Sequence, residues 1–448
     1  MAAKKNISRR DFLRWSAMAG AGAAFAATSP TFALGSSRAR MELQADGKIV
    51  LHVVSGQDAT EIDVRKQIAT MFEQVNSNVD VEIDLITGAR DESQTVMIAG
   101  DNPPDILYLN EWFQYPFFQK GVALPLDDYV KKDNFSFDGI LPAAHDINVY
   151  KGQLLAMPFE VSPLTIVYNK KLFDDAGVDY PPTSWTDPDW TWDKLVEIAT
   201  KLTDADNGQY GFSMENWMYP SVMLQTGSNV LSNTKEITAD TKCVINTPEA
   251  AKAFQLLVDL QGKYAVSPSA ASAQELGGFD RFMSGKVAMY CYGRWLNVFR
   301  TITDFQWDTA PLPHFDGGKP ATQLFTLNYS IYTKTANPDI GWEFLKFLTT
   351  QGPQGADVAS GMAVAVNEST NDSTAFTNST PPEHNDVYKE GLQYATPNDN
   401  LDVPFTNELN AALDQIWTGD VTVEDGLQQA ADAVNQVLDS WRQDNNMS

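Results

Sequence analysis

The chain has 448 residues, 43% of them apolar and 20% charged, an ordinary globular balance with enough length to bury large cores. Acidic side chains outnumber basic ones 58 to 32, a formal charge of -26, which argues against nucleic acid and anionic lipid as partners. Cys243 and Cys291 are too few for a disulfide-stapled scaffold; export would permit them to pair, and two buried thiols are the expected state.

The basic residues at the start run against the overall charge. SRRDFLRW (8–15) leads into WSAMAGAGAAFAATSPTFALG, which carries no charge before Arg38. A positive start, a short apolar run and small residues at Ala24-Phe25-Ala26 or Thr31-Phe32-Ala33 make a secretory signal, too short and too poor in Leu, Ile and Val to span a bilayer. Ser8-Arg9-Arg10-Asp11-Phe12-Leu13-Arg14 is similar to the twin-arginine export motif. Residues 1–33 are therefore expected to be removed, deepening the charge from -26 to -30 because five basic side chains and one acidic one leave. No lipid-accepting Cys follows, so a soluble protein outside the cytoplasmic membrane is expected.

After a polar connector, strand and helix patterns alternate. Lys48-IVLHVVS predicts a buried strand. EIDVRKQIATMFEQV predicts a helix with Val64, Ile68, Met71, Phe72 and Val75 on one face. VDVEIDL, DESQTVMIAGDN and PDILYL predict strand, helix and strand, an order that argues for a parallel sheet with helices on its faces. LPLDDYV reads as loop and short helix. Pro158 and Pro163 are expected to break any regular element in MPFEVSP, which reads as an extended crossing or a surface loop, before a β-rich run from Leu164 to Tyr168. Thr191 is the expected N-cap of a helix with Trp192, Leu195, Val196, Ala199 and Leu202 at helical spacing. NESTNDSTAFTNSTPPEHND (367–386) reads as a long mobile loop, since so little of it is apolar. Thr422 and Asp425 approximate a capping box for a closing helix striped by Leu427, Ala431, Val434, Leu438 and Trp441.

Catalytic patterns are scarce. The four histidines (52, 145, 314 and 384) form no HExxH and no close pair, so no metal site is expected. There is no CxxC, no complete phosphate loop and no GxSxG elbow, and no cofactor is implied. Asp204, Asp206, Asn207 and Gly208 miss the spacing of a calcium loop and read as a turn. Paired carboxylates remain available, which keeps a glycoside hydrolase open. The eleven tryptophans carry more information. LNEWFQYP (109–116), MENWMYP (214–220) and YGRWLN (292–297) each set a Trp among hydrogen-bonding groups. Two readings stand for each ring: core packing, or a flat face for the C–H side of a sugar.

The order and spacing of IAGDNPPDILYLNEW, GVALPLDDYV, MPFEVSPLTIVYNKKLFDDAGV, FDRFMSGKVAMYCYGRW, APLPHFDGGK and WEFLKFLTTQGPQ resemble the bacterial extracellular solute-binding proteins of sugar-type ABC importers. The resemblance implies an α/β, two-lobed periplasmic-binding-protein fold (type II), with a ligand cleft between lobes joined by extended hinge crossings. It divides the chain into the signal peptide 1–33, lobe I at 41–158 plus 312–370, and lobe II at 159–311 plus 371–448. MPFEVSP and APLPH would be crossings. It implies a carbohydrate ligand captured by hinge closure, membrane permease subunits as partners, a monomer and no catalysis. The ligand-binding residues it implies are Gln57 and Asp58 after the first strand, Asn110, Glu111 and Trp112 after the third, and Glu160 at the crossing. Trp217 and Tyr219, the run Gly293, Arg294 and Trp295, and Asn328 complete the set. Arg294 stands where a small residue is usual, and either reads a charged group on a sugar acid or glycerol phosphate or pairs with an Asp or Glu across the cleft.

Overall fold

In a computed structural model the described residues are 47–56, 59–100, 103–233, 237–397 and 403–444, with the side chains of 403 and 404 excepted. The signal segment and its cleavage sites, together with Gln57 and Asp58, lie outside them. So do Asp101 and Asn102, at the end of the expected second helix.

Thirteen strands among the described residues make two sheets and a hairpin. In chain order they are β1 (Ile49–Val54), β2 (Val79–Asp84), β3 (Ile106–Asn110), β4 (Val149–Tyr150), β5 (Gln153–Leu154), β6 (Met157–Pro163) and β7 (Thr165–Asn169), followed by β8 (Tyr210–Ser213), β9 (Val287–Tyr292), β10 (Trp307–Ala310), β11 (Thr322–Ile331), β12 (Val364–Ala365) and β13 (Ala395–Pro397). The larger sheet runs β12-β6-β11-β3-β1-β2, with β13 beside the start of β11. The smaller sheet runs β10-β7-β9-β8, and β4 and β5 form the hairpin.

The expected strand–helix alternation holds at the start. β1 pairs parallel with β2 and β3, and the helices Ala59–Val75 and Arg90–Ala99 connect them. Val64, Ile68 and Phe72 are buried on the first helix as its spacing predicts, whereas Val75, at its last residue, is 70% exposed. Beyond β3 the sheet turns antiparallel: β11 runs against both β3 and β6. Among the described residues parallel strand pairing recurs only where β13 joins β11 and where β8 joins β9, so the expectation of a parallel sheet holds for part of each sheet.

The prolines do not break MPFEVSP. All seven residues of β6 are buried, and the strand pairs with β11 along its length. Pro158 and Pro163 lie near its two ends. On the opposite side β12 covers only Glu160 and Val161, so the missing proline N–H groups leave no ladder bond there unmade.

The chain leaves the larger sheet at Leu164 and enters the smaller one at Thr165; it returns between Ala310 and Thr322. Each sheet has its own core. One lies around Phe72, Leu107, Phe159 and Trp342, the other around Trp192, Phe212, Phe254 and Met289. A third cluster, with Val161, Val167, Tyr290 and Leu324, takes strands from both sheets and ties the crossings together.

The two caps read from the sequence are made: the Thr191 hydroxyl accepts from the Lys194 N–H at 3.2 Å, and the Thr422 hydroxyl from the Asp425 N–H at 3.1 Å. On the closing helix Val423–Asp444, Leu427, Ala431, Val434 and Leu438 are buried. Cys243 and Cys291 are both buried and are not joined in a disulfide.

The segment 367–386 corrects an expectation. It forms two short helices, Glu368–Asn371 and Thr374–Thr377, and buries Phe376 completely. Its polar side chains serve the backbone: the Asn371 amide donates to the Ala365 carbonyl at 2.9 Å and accepts from its N–H at 3.0 Å, and the Asn385 amide donates to the Ser379 carbonyl at 2.6 Å. A stretch poor in apolar residues is ordered here by satisfied hydrogen bonds. Among the described residues no helix is long and apolar enough to cross a membrane.

Candidate functional site

A cavity of about 540 Å³ opens where the two sheets meet. β3, β6 and β11 bring one wall, the segment after β9 and the loop around Trp217 bring another, and the helix Val403–Thr418 closes a side. These segments are scattered along the whole chain, and the two crossings draw them together.

Aromatic rings dominate the lining. Trp295 is part-buried, its ring edge-on to Tyr292 (5.4 Å) and to Phe325 (5.3 Å). Trp217 is 52% exposed and edge-on to Phe325 at 5.7 Å; Trp112 is 45% exposed against Phe113. Tyr219 completes the set on the same side as Trp217. The T-shaped contacts orient these rings, and the exposed area of Trp112 and Trp217 remains available for stacking.

Between the rings stand hydrogen-bonding groups. The Asn110 amide donates to the Thr326 carbonyl at 2.9 Å, which leaves its buried Oδ1 without a partner; the buried Gln323 Oε1 is likewise unpartnered. Buried acceptors of this kind are costly unless something completes them, and both belong to cavity-lining residues. Glu160 also lines the cavity, and it is not free. Arg65, buried and stacked on Phe159 at 5.1 Å, donates to Glu160, to Asp357 at 2.6 Å and more weakly to Glu61 at 3.5 Å. Burial opposes charge on Arg65, but the three carboxylates raise its pKa and keep it a cation. With three acids around one guanidinium, burial lifts the carboxyls of Glu160 and Asp357 above their usual range despite Arg65. Arg90 is the one basic side chain lining the cavity among the described residues, and it lies 5.8 Å from the Tyr108 ring centre.

Of the residues singled out in the sequence, Asn110, Trp112, Glu160, Trp217, Tyr219 and Trp295 line this cavity, while Gln57 and Asp58 lie outside the described residues. Four stand behind the wall. Glu111 is buried, its Oε2 accepting from the Thr326 N–H at 2.8 Å, and burial pushes its carboxyl up to about 7. Asn328 is wholly buried, donating to Gln114 and Thr326 and accepting from Asn148, each at 2.9 Å. Gly293 has no side chain to offer, and its role is space: a Cβ there would lie 2.6 Å from the Trp295 ring and 2.8 Å from the Ser162 hydroxyl.

Arg294 departs from both readings made of it. It is 0% exposed and points away from the cavity into the chain that follows β11. Its guanidinium donates to the carbonyls of Met362, Ala363 and Val358, to the Ser379 hydroxyl and to the Asn385 amide, and stacks on Phe376. Burial, with Arg300 nearby, lowers its pKa to about 9. It makes no ion pair among the described residues and presents no charge to the cavity; carbonyl groups replace its hydration.

Sequence reasoning missed Glu61, Arg90, Gln323 and Phe325. Gln323 and Phe325 sit on β11, a strand buried along its whole length, and they reach the cavity at its start, next to the returning crossing.

Two sheets with separate cores, strand crossings between them and a ring-lined cavity at the junction define a two-lobed α/β binding protein of the periplasmic type. Residues 57–355 match the model of the bacterial extracellular solute-binding protein family, and the chain belongs to that family. Residues 6–26 match the twin-arginine translocation signal sequence. The maltotriose-binding protein of Pyrococcus abyssi is 23% identical over 309 residues, 68% of this chain but 63% of that protein's length. An ABC substrate-binding protein from Listeria monocytogenes in complex with cycloalternan superposes with a TM-score of 0.75 at 26% identity, covering 87% of this chain and 98% of the other. UgpB from Mycobacterium tuberculosis, in complex with glycerophosphocholine, also reaches 0.75, at 15% identity with 88% and 100% covered, a likeness of fold alone.

Proposed function

We propose that this protein is the exported substrate-binding component of an ABC importer for a neutral carbohydrate, which it captures by closure of two lobes and hands to permease subunits as a monomer without cleaving it. One observation carries this reading. The cavity sets part-exposed Trp112, Trp217 and Trp295 around the unpartnered amide oxygens of Asn110 and Gln323. Ring faces suit sugar C–H surfaces, and the amide oxygens accept from hydroxyls. The relatives named for maltotriose and cycloalternan support the same class. Asn110, Trp112, Trp217, Tyr219, Gln323 and Trp295 are the residues we assign to the ligand, with Glu160 held by Arg65 as a fixed acceptor. The lobes divide where the sheets do, at Leu164 and within residues 311–321. A glycosidase reading would need an acid and a base of independent protonation, whereas Glu61 and Glu160 are tied to one guanidinium.

The experiment is calorimetric titration with neutral glucose oligosaccharides and, separately, with glycerol phosphate and glycerophosphocholine, followed by chromatography of the recovered ligand. The expected result is binding of a neutral sugar that is returned intact. Binding of the phosphates alone would make Arg90 the anchor and overturn the neutral reading, and cleavage would overturn the receptor reading.

A further inference from the structure

A second cavity, of about 350 Å³, adjoins the first. The two share three lining residues, Trp217, Tyr219 and Asn410. One helix runs along both. On Val403–Thr418, Thr406, Leu409 and Asn410 line the first cavity, and Asn410, Leu413, Asp414 and Trp417 line the second. Spacings of three and four put these on one face, and from Thr406 to Trp417 that stripe covers about 16 Å at the helical rise.

The second cavity repeats the chemistry of the first. Trp417 is part-buried and stacked on Phe254 at 5.2 Å and 18°, which fixes its ring while leaving part of it exposed. The Glu215 carboxylate accepts from the Tyr290 hydroxyl at 3.1 Å, and Asp414 lies exposed on the facing helix. Gly278 lets its segment pack close against this wall, since a Cβ there would run into the Ser213 hydroxyl and lie 2.9 Å from the Glu215 oxygen. The lining holds two carboxylates and no lysine or arginine among the described residues. Aromatic rings with carboxylate and amide acceptors, and no cation, fit a sugar ring and disfavour a phosphate or a sugar acid.

We infer that the ligand track continues past Trp217 into this second cavity, so that the cargo is a neutral oligosaccharide spanning both, with Trp217 and Asn410 at the joint between subsites. This rests on the reading of the first cavity as a neutral-sugar site.

The test is calorimetric titration of the exported protein with maltose through maltoheptaose and with cellobiose through cellohexaose, repeated on Ala273→Trp and Asp414→Ala. Ala273 is an exposed residue of the second cavity, and a Trp there fills it; Asp414→Ala is an exposed change that removes one acceptor. Melting temperatures of both variants accompany the titrations, and if the bulky change unfolds the protein the Asp414 variant decides. In one of the two series the dissociation constant should tighten about tenfold or more from the disaccharide to the longer members, as added ring stacking and hydrogen bonds predict. Both variants should abolish or reduce that gain while leaving the disaccharide constant unchanged. Equal affinity at every length, or variants that weaken short and long ligands alike, would overturn the second subsite while leaving the first cavity a sugar site. No binding by either series would overturn the neutral-sugar reading itself, and the subsite with it.

Discussion

Gly293 and Trp295 show how one side chain is positioned by the absence of another. The ring lies over the glycine, with Tyr292 and Phe325 at its edges, so its direction is set before any ligand arrives. Trp217 is held less tightly, and this makes it the cleaner probe. Trp217→Ala should lower the unliganded melting temperature little, because the ring is half in water, yet weaken sugar binding about tenfold, the loss of one stacking face. Calorimetry beside a thermal melt checks both halves. A collapsed melting point with normal affinity would make the ring structural. Glu111 gives a pH prediction. Its folded pKa, about 7, stands above the ordinary carboxylate value of 4.5, so folding favours its protonated form. Its stability contribution is fully present below pH 4.5 and is lost as pH rises through 7, about 3 kcal/mol by linkage. Glu111→Gln should therefore flatten that part of the stability profile between pH 4.5 and 8 in urea titrations. An unchanged profile would place the slope on Glu160 and Asp357.

Among the elements, the legible ones were those whose partners lie close in sequence. The helix from Trp192 to Leu202 followed from its cap and its spacing, and Trp192, Leu195, Ala199 and Leu202 are buried as the pattern requires. What no spacing announced is how near that helix lies to β8. A Cβ on Gly211 would run into the backbone of Ala199, so the glycine is what lets helix and strand meet. Gly211→Ala should cost about 3 kcal/mol, the upper range for overpacking, measured by chemical denaturation; a neutral result would mean the two elements can separate without loss. β6 and the segment 367–386 misled for opposite reasons. Two prolines looked prohibitive in β6 until its one short neighbour, β12, left their positions uncovered. The Asn-, Ser- and Thr-rich segment looked disordered until Arg294 supplied a guanidinium for its hydroxyl and amide oxygens. Both outcomes depend on partners far away in the chain.

For the molecule as a whole, the export signal is written in the first residues. Arg9→Lys with Arg10→Lys should retain the protein in the cytoplasm, as cell fractionation would show; undiminished export would require another route. The sequence by itself determined this address, the acidic surface, the α/β class, the caps and the fact that tryptophans in polar loops matter, because each depends on neighbouring residues or on composition. Tertiary structure alone decided which rings share one cavity, that Arg294 is buried against carbonyls, and that Gln323 and Phe325, though buried, also line the wall. The physical reason is the pair of strand crossings between the sheets. They bring residues from 61 to 410 to one place, and whether a polar group there meets solvent, ligand or a buried partner is set by packing that no local pattern records.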